Sequence, residues 1–74
     1  MNDVNVNDYF MRVAGGSYGN IVIVTEIFKN TVSYTTVRNI GSPESFGGGD
    51  FLECFQNHIL WKPLTEEEFF LEMI

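Results

Sequence analysis

The fold is decided by residues 21–38, which read IVIVTEIF, then KN, then TVSYTTVR. Ile21–Phe28 is rich in β-branched residues and is apolar at both alternating sets of positions, which predicts a strand buried on two sides or lying at a dimer contact. Lys29 and Asn30 predict a short turn, and Thr31–Arg38 predicts a second strand that pairs with the first as a hairpin. This hairpin predicts a fold that is mainly β.

The chain before the hairpin is expected to add one more strand. Residues 1–8 are rich in Asn and Asp, which predicts a flexible N-terminus. Tyr9–Ala14 predicts a strand. The next six residues, Gly15–Asn20, predict a turn because Gly and Asn readily adopt positive φ angles. Residues 9–74 are therefore expected to form one small domain.

Three further segments follow the hairpin. Residues 40–49 contain four glycines and a proline and predict a loop, in which Gly47–Gly49 is a flexible link or a place of close backbone approach. Asp50–Phe55 has apolar residues at i, i+1 and i+4, which predicts a short helical turn with its first residue as the N-cap. His58–Leu64 predicts a last strand, which Pro63 places at the edge or end of a sheet.

The chain ends in a predicted helix over residues 65–74. Thr65 is a good N-cap, and Glu68 three residues later completes a capping box. The apolar face of this helix comprises Phe69, Phe70, Met73 and Ile74, and the sequence leaves open whether it packs on its own domain or on a neighbour. Together these elements predict an α+β, mainly β fold: a small SH3-like barrel or curled antiparallel sheet with a short helical turn and a C-terminal helix.

The charge of the chain limits the kinds of partner it can bind. Ten acidic residues stand against four basic ones, for a net charge of −6 in 74 residues. Direct binding of nucleic acid needs the opposite charge, whereas docking on a basic protein surface is favoured. The polar start, MNDVNVND, does not resemble a signal peptide, and the longest apolar run is too short to span a bilayer. We therefore expect a cytoplasmic protein that does not bind membranes.

Catalysis and metal binding find little support in the sequence. The one cysteine, Cys54, precedes the one histidine, His58, by four residues, and no third group is evident to orient them as a nucleophile pair. A single cysteine allows no internal disulfide, and His58 has no partner at metal-ligand spacing. We expect a protein that is not an enzyme and has no cofactor and no metal.

The acidic residues form the first candidate binding site. Six of the ten lie between Asp50 and Glu72, where carboxylates one helical turn apart approach the charge spacing of duplex DNA. They therefore predict an acidic face that imitates a phosphate backbone. The alternative is that they cap helices and keep the domain soluble. The candidate set is Glu44, Asp50, Glu53, Glu66, Glu67, Glu68 and Glu72.

The second candidate binding site is the segment Gln56-Asn57-His58-Ile59-Leu60. It resembles the peptide by which many bacterial proteins dock on the DNA sliding clamp, in which a Gln is followed, after two variable residues, by two large apolar residues. The matching residues here are Gln56, Ile59 and Leu60. The alternative is that Ile59 and Leu60 are core residues of a strand.

The order of predicted elements from Tyr9 to Leu64, with the Asp50–Phe55 turn after the hairpin and a Trp in the last strand, resembles that of small phage-encoded SH3-like proteins. In length and acidity the chain is similar to small bacteriophage host-takeover proteins that inhibit the bacterial DNA polymerase sliding clamp, such as those of staphylococcal phages. The resemblance implies a DNA mimic that occupies the basic DNA channel of the clamp and blocks replication. It also implies a homodimer, which is a common way for a small core to grow.

A second class of function stays open at this point. An SH3-like protein–protein interaction module, or a phage assembly protein, would need no inhibitory role. Its binding surface would be aromatic rather than acidic and would comprise Tyr9, Tyr18, Tyr34 and Trp61. Binding that is insensitive to salt would favour this alternative.

Overall fold

The computed structural model describes residues 4–14, 19–38, 47–58 and 60–74, and within them it contains five strands and two helices. They are β1 (Tyr9–Arg12), β2 (Ile21–Phe28), β3 (Thr31–Arg38), β4 (Gly47–Phe51), α1 (Leu52–Gln56), β5 (Trp61–Leu64) and α2 (Glu66–Met73). All neighbouring strands are antiparallel, in the order β4-β3-β2-β1-β5. The sheet curls into a half-barrel, which confirms the predicted mainly β, SH3-like α+β class.

The central hairpin matches its prediction. Both strands have the predicted bounds, and the turn between them places Lys29 at a φ of 56°. In the first half of β2 both faces are buried, since Ile21 and Val22 expose 0% and 1% of their surface. This confirms burial on two sides for the first half of the strand only, since Thr25, Glu26 and Phe28 are exposed.

The second half of β2 differs from simple alternation, which predicts Ile27 on the face opposite Val24. The pairing with β3 shifts between Val24 and Glu26, and Ile27 lies opposite the buried Val32. A bulge adds one residue to a strand and so exchanges its faces beyond that point. Ile27 therefore packs against the core, and the prediction for this residue was wrong.

The core lies on the concave, inner face of the sheet. Its buried residues are Phe10, Val22, Val24, Val32, Phe55 and Trp61. The ring of Phe55 from α1 stacks on Trp61 at 5.0 Å between centroids and meets Phe10 edge-on at 4.9 Å. Helix α1 therefore covers the inner face, with a fully buried phenylalanine as its anchor.

The two edges of the sheet approach each other across this core. Trp61 belongs to the edge strand β5, and its indole Nε1–H donates to the Asp50 carboxylate of the opposite edge strand, β4, at 3.4 Å. Arg12 lies between them, with its guanidinium 3.9 Å from the Asp50 carboxylate and 5.1 Å above the Trp61 ring. This polar bridge connects the two edge strands across the core.

Helix α2 packs on the other, outer face. Tyr9 stacks on Phe69 at 4.0 Å, whereas the next residue in β1, Phe10, points into the core. Since successive residues of a strand point to opposite faces, α1 and α2 lie on opposite sides of the sheet. Arg38 also holds α2, because it donates to the backbone carbonyl of Glu72 at 2.7 Å.

The predicted loop over residues 40–49 was wrong at its end, because Gly47–Gly49 begins β4 and pairs with β3. Residues 40–46 lie outside the described residues. The idea of a close approach holds at Gly48, where a Cβ atom would stand 2.9 Å from the Tyr34 ring. Glycine therefore lets β4 lie against a large side chain of β3.

Two more predicted boundaries were wrong. Asp50 does not cap α1; the N-cap is Phe51, which makes no side-chain capping bond, and Asp50 belongs to β4. The last strand begins at Trp61 instead of His58, which has a φ of 59° that an extended strand does not accommodate. Its predicted edge position is confirmed, since β5 closes one side of the sheet and carries Pro63.

The described part of the N-terminus, residues 4–8, forms a turn attached to β2. The amide of Asn7 donates to the carbonyl of Val24 at 2.8 Å, the amide of Val24 donates to the carbonyl of Asp8 at 2.9 Å, and Val4 packs against the core. Most of the predicted Gly15–Asn20 turn lies outside the described residues; Gly19, which is described, has a φ of 89°.

Candidate functional site

The pKa of the one cysteine, Cys54, is shifted in the direction that makes its thiol less nucleophilic. Cys54 lies on α1, half-buried against the core cluster. Burial raises the pKa of its thiol, and the carboxylate of Asp50 raises this pKa further. A nucleophilic cysteine needs a lowered pKa. Among the described residues, no three His, Cys, Asp or Glu side chains lie close enough to hold a metal ion.

Asp50, a member of the predicted acidic set, is occupied within the fold. One carboxylate oxygen accepts from the amide of Phe51 at 2.8 Å, and the other receives the Trp61 indole and faces Arg12. Its side chain is 25% exposed. The charge of Asp50 is therefore shared with an internal arginine and is a weak candidate for contact with a partner.

Glu53 lies apart from the acidic residues of α2. It is an exposed residue of α1 and, with Asn30, Phe51, Leu52 and Gln56, lines an open pocket of about 400 Å³. Since α1 and α2 lie on opposite faces of the sheet, the predicted acidic residues are divided between two surfaces. Glu44 lies outside the described residues.

The acidic residues of α2 stay together on the outer face. Glu66 and Glu67 are exposed, and within the described chain neither forms an ion pair or side-chain hydrogen bond. Glu72 is 3.4 Å from the Arg38 guanidinium, an exposed pair of small energetic value. The outer face therefore presents a concentrated group of carboxylates, although it is smaller than the sequence predicts.

Glu68 has a structural role in the predicted capping box, which is confirmed. The amide of Thr65 donates to the Glu68 carboxylate at 2.9 Å, and the amide of Glu68 donates to the Thr65 hydroxyl oxygen at 3.1 Å. The hydrogen bond from the Thr65 backbone lowers the pKa of Glu68, with smaller contributions from the Thr65 side chain and from Lys62. The box fixes where α2 begins and so where its first-turn carboxylates project.

This capping box predicts a pH-dependent helix start. Because the folded state lowers the pKa of Glu68, the stabilisation is complete at neutral pH and is lost as the pH falls through that lowered pKa. Glu68→Gln should keep the cap at neutral pH but remove this acid transition in the Thr65 amide shift, measured by NMR. Glu67→Gln is the matched control and should leave the transition in place. Thr65→Ala should cost about 1 kcal/mol of helix stability.

Most of the apolar residues of α2 are not covered by the domain itself. Phe69 is half-buried on Tyr9, but no residue of the helix is fully buried. Phe70 and Leu71 expose 56% and 65% of their surface, and Ile74 exposes 99%. Carboxylates and apolar groups are thus exposed together on one element.

The segment that resembles a clamp-binding peptide is partly used by the fold. Gln56 ends α1, and Leu60 packs against the core cluster, while its carbonyl accepts from the amide of Val13 at 2.9 Å. Ile59 lies outside the described residues. For Leu60 to enter a pocket on a partner, it would have to leave the core, which lowers the value of this segment as a docking peptide.

The aromatic residues predicted as the binding surface of an interaction module are also mostly used by the fold. Trp61 is 2% exposed, Tyr34 lies against Phe55 and Trp61 in the core, and Tyr9 lies under Phe69. Tyr18 lies outside the described residues. Proline-rich ligands dock in grooves lined by accessible aromatic rings. The described aromatic residues of this set are packed instead.

Comparison of the chain with protein-family models, curated proteins and solved structures found no match. No helix among the described residues is long and apolar enough to cross a membrane. The candidate site therefore rests on the geometry of α2.

Proposed function

We propose that the protein functions by binding another protein and that α2 is the centre of its binding surface. The observation that supports this most directly is the combination on one short helix of exposed carboxylates, at Glu66 and Glu67, with exposed apolar side chains, at Phe70 and Leu71. Because no residue of α2 is fully buried, only a small part of the helix surface is used for packing against the rest of the domain. Large exposed apolar groups beside charges are typical of interaction sites.

The charge of this surface specifies a basic partner. Four of the eight residues of α2 are glutamates, in a chain of net charge −6. Such a surface accelerates association with lysine- and arginine-rich surfaces, in a way that salt suppresses. Burial of Phe70 and Leu71 would then slow dissociation, since apolar contacts in the centre of an interface carry much of its energy.

The most specific form of this proposal is inhibition of the bacterial DNA polymerase sliding clamp in the cytoplasm. The support comes from the acidity of α2 and from the resemblance of the chain to small phage host-takeover proteins. In this proposal the carboxylates of α2 take the place of DNA phosphates in the basic channel of the clamp, and replication stops because DNA is excluded. The protein acts as a competitor and performs no chemistry.

The test is a charge reversal on α2 with a matched reversal at two exposed glutamates outside it. Glu66→Lys with Glu67→Lys adds four charges to the net −6, as does Glu26→Lys with Glu53→Lys; all four positions are exposed. We expect the α2 pair to weaken binding to purified sliding clamp about tenfold or more, or ~1.4 kcal/mol. The affinity of the α2 variant should also depend less on salt.

The control pair should change the affinity by less than about threefold, since neither of its residues belongs to α2. Equal effects of both pairs would mean that net charge, and not α2, determines binding. Competition by a synthetic clamp-binding peptide, together with loss of affinity in Gln56→Ala, would instead assign the contact to the Gln56–Leu60 segment. Absence of any binding to the clamp would remove this partner.

A further inference from the structure

Strand β4 has an open edge whose outward-facing backbone groups can be identified. The amide of Leu52 donates to the carbonyl of Asn30 at 2.7 Å. Hydrogen-bonded pairs alternate along an antiparallel ladder, so Asp50 and Gly48, which pair with Val32 and Tyr34, direct their backbone groups toward β3.

The intervening residues of β4 direct their groups outward. These are Gly47, Gly49 and Phe51, and all three are exposed. For Gly47 and Gly49, no backbone partner for the outward groups is found within the described chain. The amide of Phe51 folds back on its neighbour, the Asp50 carboxylate, at 2.8 Å. The edge thus offers donors and acceptors to another strand.

The opposite edge strand, β5, carries features that oppose pairing with another strand, and β4 does not. On β5 the residue pair Val13–Leu60 is hydrogen-bonded, so alternation directs the backbone nitrogen of Pro63 outward. Proline has no N–H to offer, and the adjacent Lys62 adds a charge; both are common devices against edge pairing. Strand β4 contains neither a lysine nor a proline.

We propose that β4 pairs, antiparallel, with β4 of a second copy of the chain about a two-fold axis at Gly49. In this register Gly49 lies opposite the partner's Gly49, Asp50 lies opposite the partner's Gly48, and Phe51 lies opposite the partner's Gly47. The outward groups of Gly47, Gly49 and Phe51 meet the same groups of the second copy. The central Gly49 pair exchanges two backbone hydrogen bonds. In each flanking pair the Gly47 amide can donate to the Phe51 carbonyl, whereas the Phe51 amide stays on the Asp50 carboxylate.

The side chains fit this register on both faces of the sheet. Phe51, which is 64% exposed, lies on the outer face over the partner's Gly47, where there is no side chain to obstruct it. Aromatic side chains across from edge glycines are a known means of fixing register. The one charged residue of the strand, Asp50, faces a glycine instead of the second Asp50 and is already paired with Arg12.

The occupant is a second copy because the edge is complementary to itself. The exposed Phe51 and Gly47 lie two residues on either side of Gly49. A two-fold rotation therefore places Phe51 of each copy over Gly47 of the other copy. A two-fold contact requires this reciprocity, whereas a foreign strand does not. The axis is perpendicular to the sheet, so the two α2 helices lie on the same side of the extended sheet. The inference is independent of the function proposed for α2.

The test is the oligomeric state of Phe51→Ser, measured by sedimentation equilibrium. Serine is a favoured N-cap, and Phe51 is the N-cap of α1, so this variant is expected to stay folded as a monomer. We expect its dimer dissociation constant to rise about tenfold or more. Phe28→Ser is the matched control, because Phe28 is 65% exposed but lies on β2, and it should leave the constant unchanged.

A second measurement does not depend on any variant. The exchange rate of the Gly49 amide should fall as the concentration of the wild-type protein rises, while that of Trp61, whose amide points outward on the other edge strand, should not change. A wild-type protein that stays monomeric over this range would overturn the proposal. So would dissociation by Leu71→Ser combined with an intact Phe51→Ser dimer, since that result would place the contact on α2.

Discussion

Replacing Phe55 by alanine is expected to lower the free energy of unfolding by about 4 kcal/mol, within the ~3–5 kcal/mol typical of buried Phe→Ala changes. Phe55 is fully buried, and its ring contacts Trp61 and Phe10. It is also the buried residue of α1, so its loss detaches the helix from the inner face. Because small domains have total stabilities at the low end of about 5–15 kcal/mol, a large fraction of the variant should be unfolded at 37 °C.

Urea unfolding followed by far-UV circular dichroism measures this loss. Phe28→Ala is the matched control, since Phe28 is 65% exposed and the same change there should stay within about 0.5 kcal/mol. A further variant, Phe55→Leu, keeps an apolar group in the cavity and should cost less than alanine. Similar losses for Phe55→Ala and Phe28→Ala would show that the core is assembled differently.

Replacing Asp50 by alanine is expected to cost about 2 kcal/mol, within the range of ~1–3 kcal/mol for leaving a buried polar group without its partner. The change removes the acceptor of the Trp61 indole N–H and the counter-charge of Arg12, whose side chain is only 22% exposed. The two edges of the sheet would then lose their polar bridge across the core. Asp50→Asn keeps an acceptor for Trp61 and should lose less stability.

The variant Asp50→Asn also tests whether Asp50 contributes to partner binding in addition to stability. Asp50 belongs to the acidic set that the sequence offers as a partner-binding face, but the structure pairs it with Arg12. Under conditions where Asp50→Asn is folded, its affinity for the partner should equal that of the wild type, in contrast to changes at Glu66 and Glu67. A loss of affinity comparable to theirs would return Asp50 to the binding surface.

The hairpin and α2 are predictable because their signals are local. The β-branched run of β2, the short turn and the pairing with β3 are all contained in residues 21–38. The start of α2 depends on Thr65 and Glu68, which interact within one helical turn. In each case the residues that determine the structure are neighbours in the chain.

The elements that sequence patterns misplace depend on distant partners. Three consecutive glycines carry no strand pattern, and β4 forms because β3 supplies its hydrogen bonds and because Gly48 fits beneath Tyr34. The bulge at Thr25 leaves no mark on the alternation of β2, so the side on which Ile27 lies is not predictable.

In the candidate site, too, the features set by neighbouring residues are predictable and those set by distant residues are not. The concentration of glutamates in the C-terminal half is visible in composition, and so is the capping role of Glu68. Which carboxylates share a face depends on Tyr9 and Phe10 directing α2 and α1 to opposite sides of the sheet. The neutralisation of Asp50 depends on Arg12, which lies far away in the chain. Such long-range pairings leave no periodic signal in the sequence.

Helix α2 is attached to the rest of the protein in a way that bears on how such a protein evolves. All the buried apolar residues of the described chain lie at or before Leu64, and α2 holds to the sheet through Tyr9 and Arg38. Apart from Glu68 and Phe69, mutations in residues 66–74 therefore meet little selection from folding. If α2 is the binding surface proposed above, its exposed positions can change to fit a new target while the β-domain stays the same.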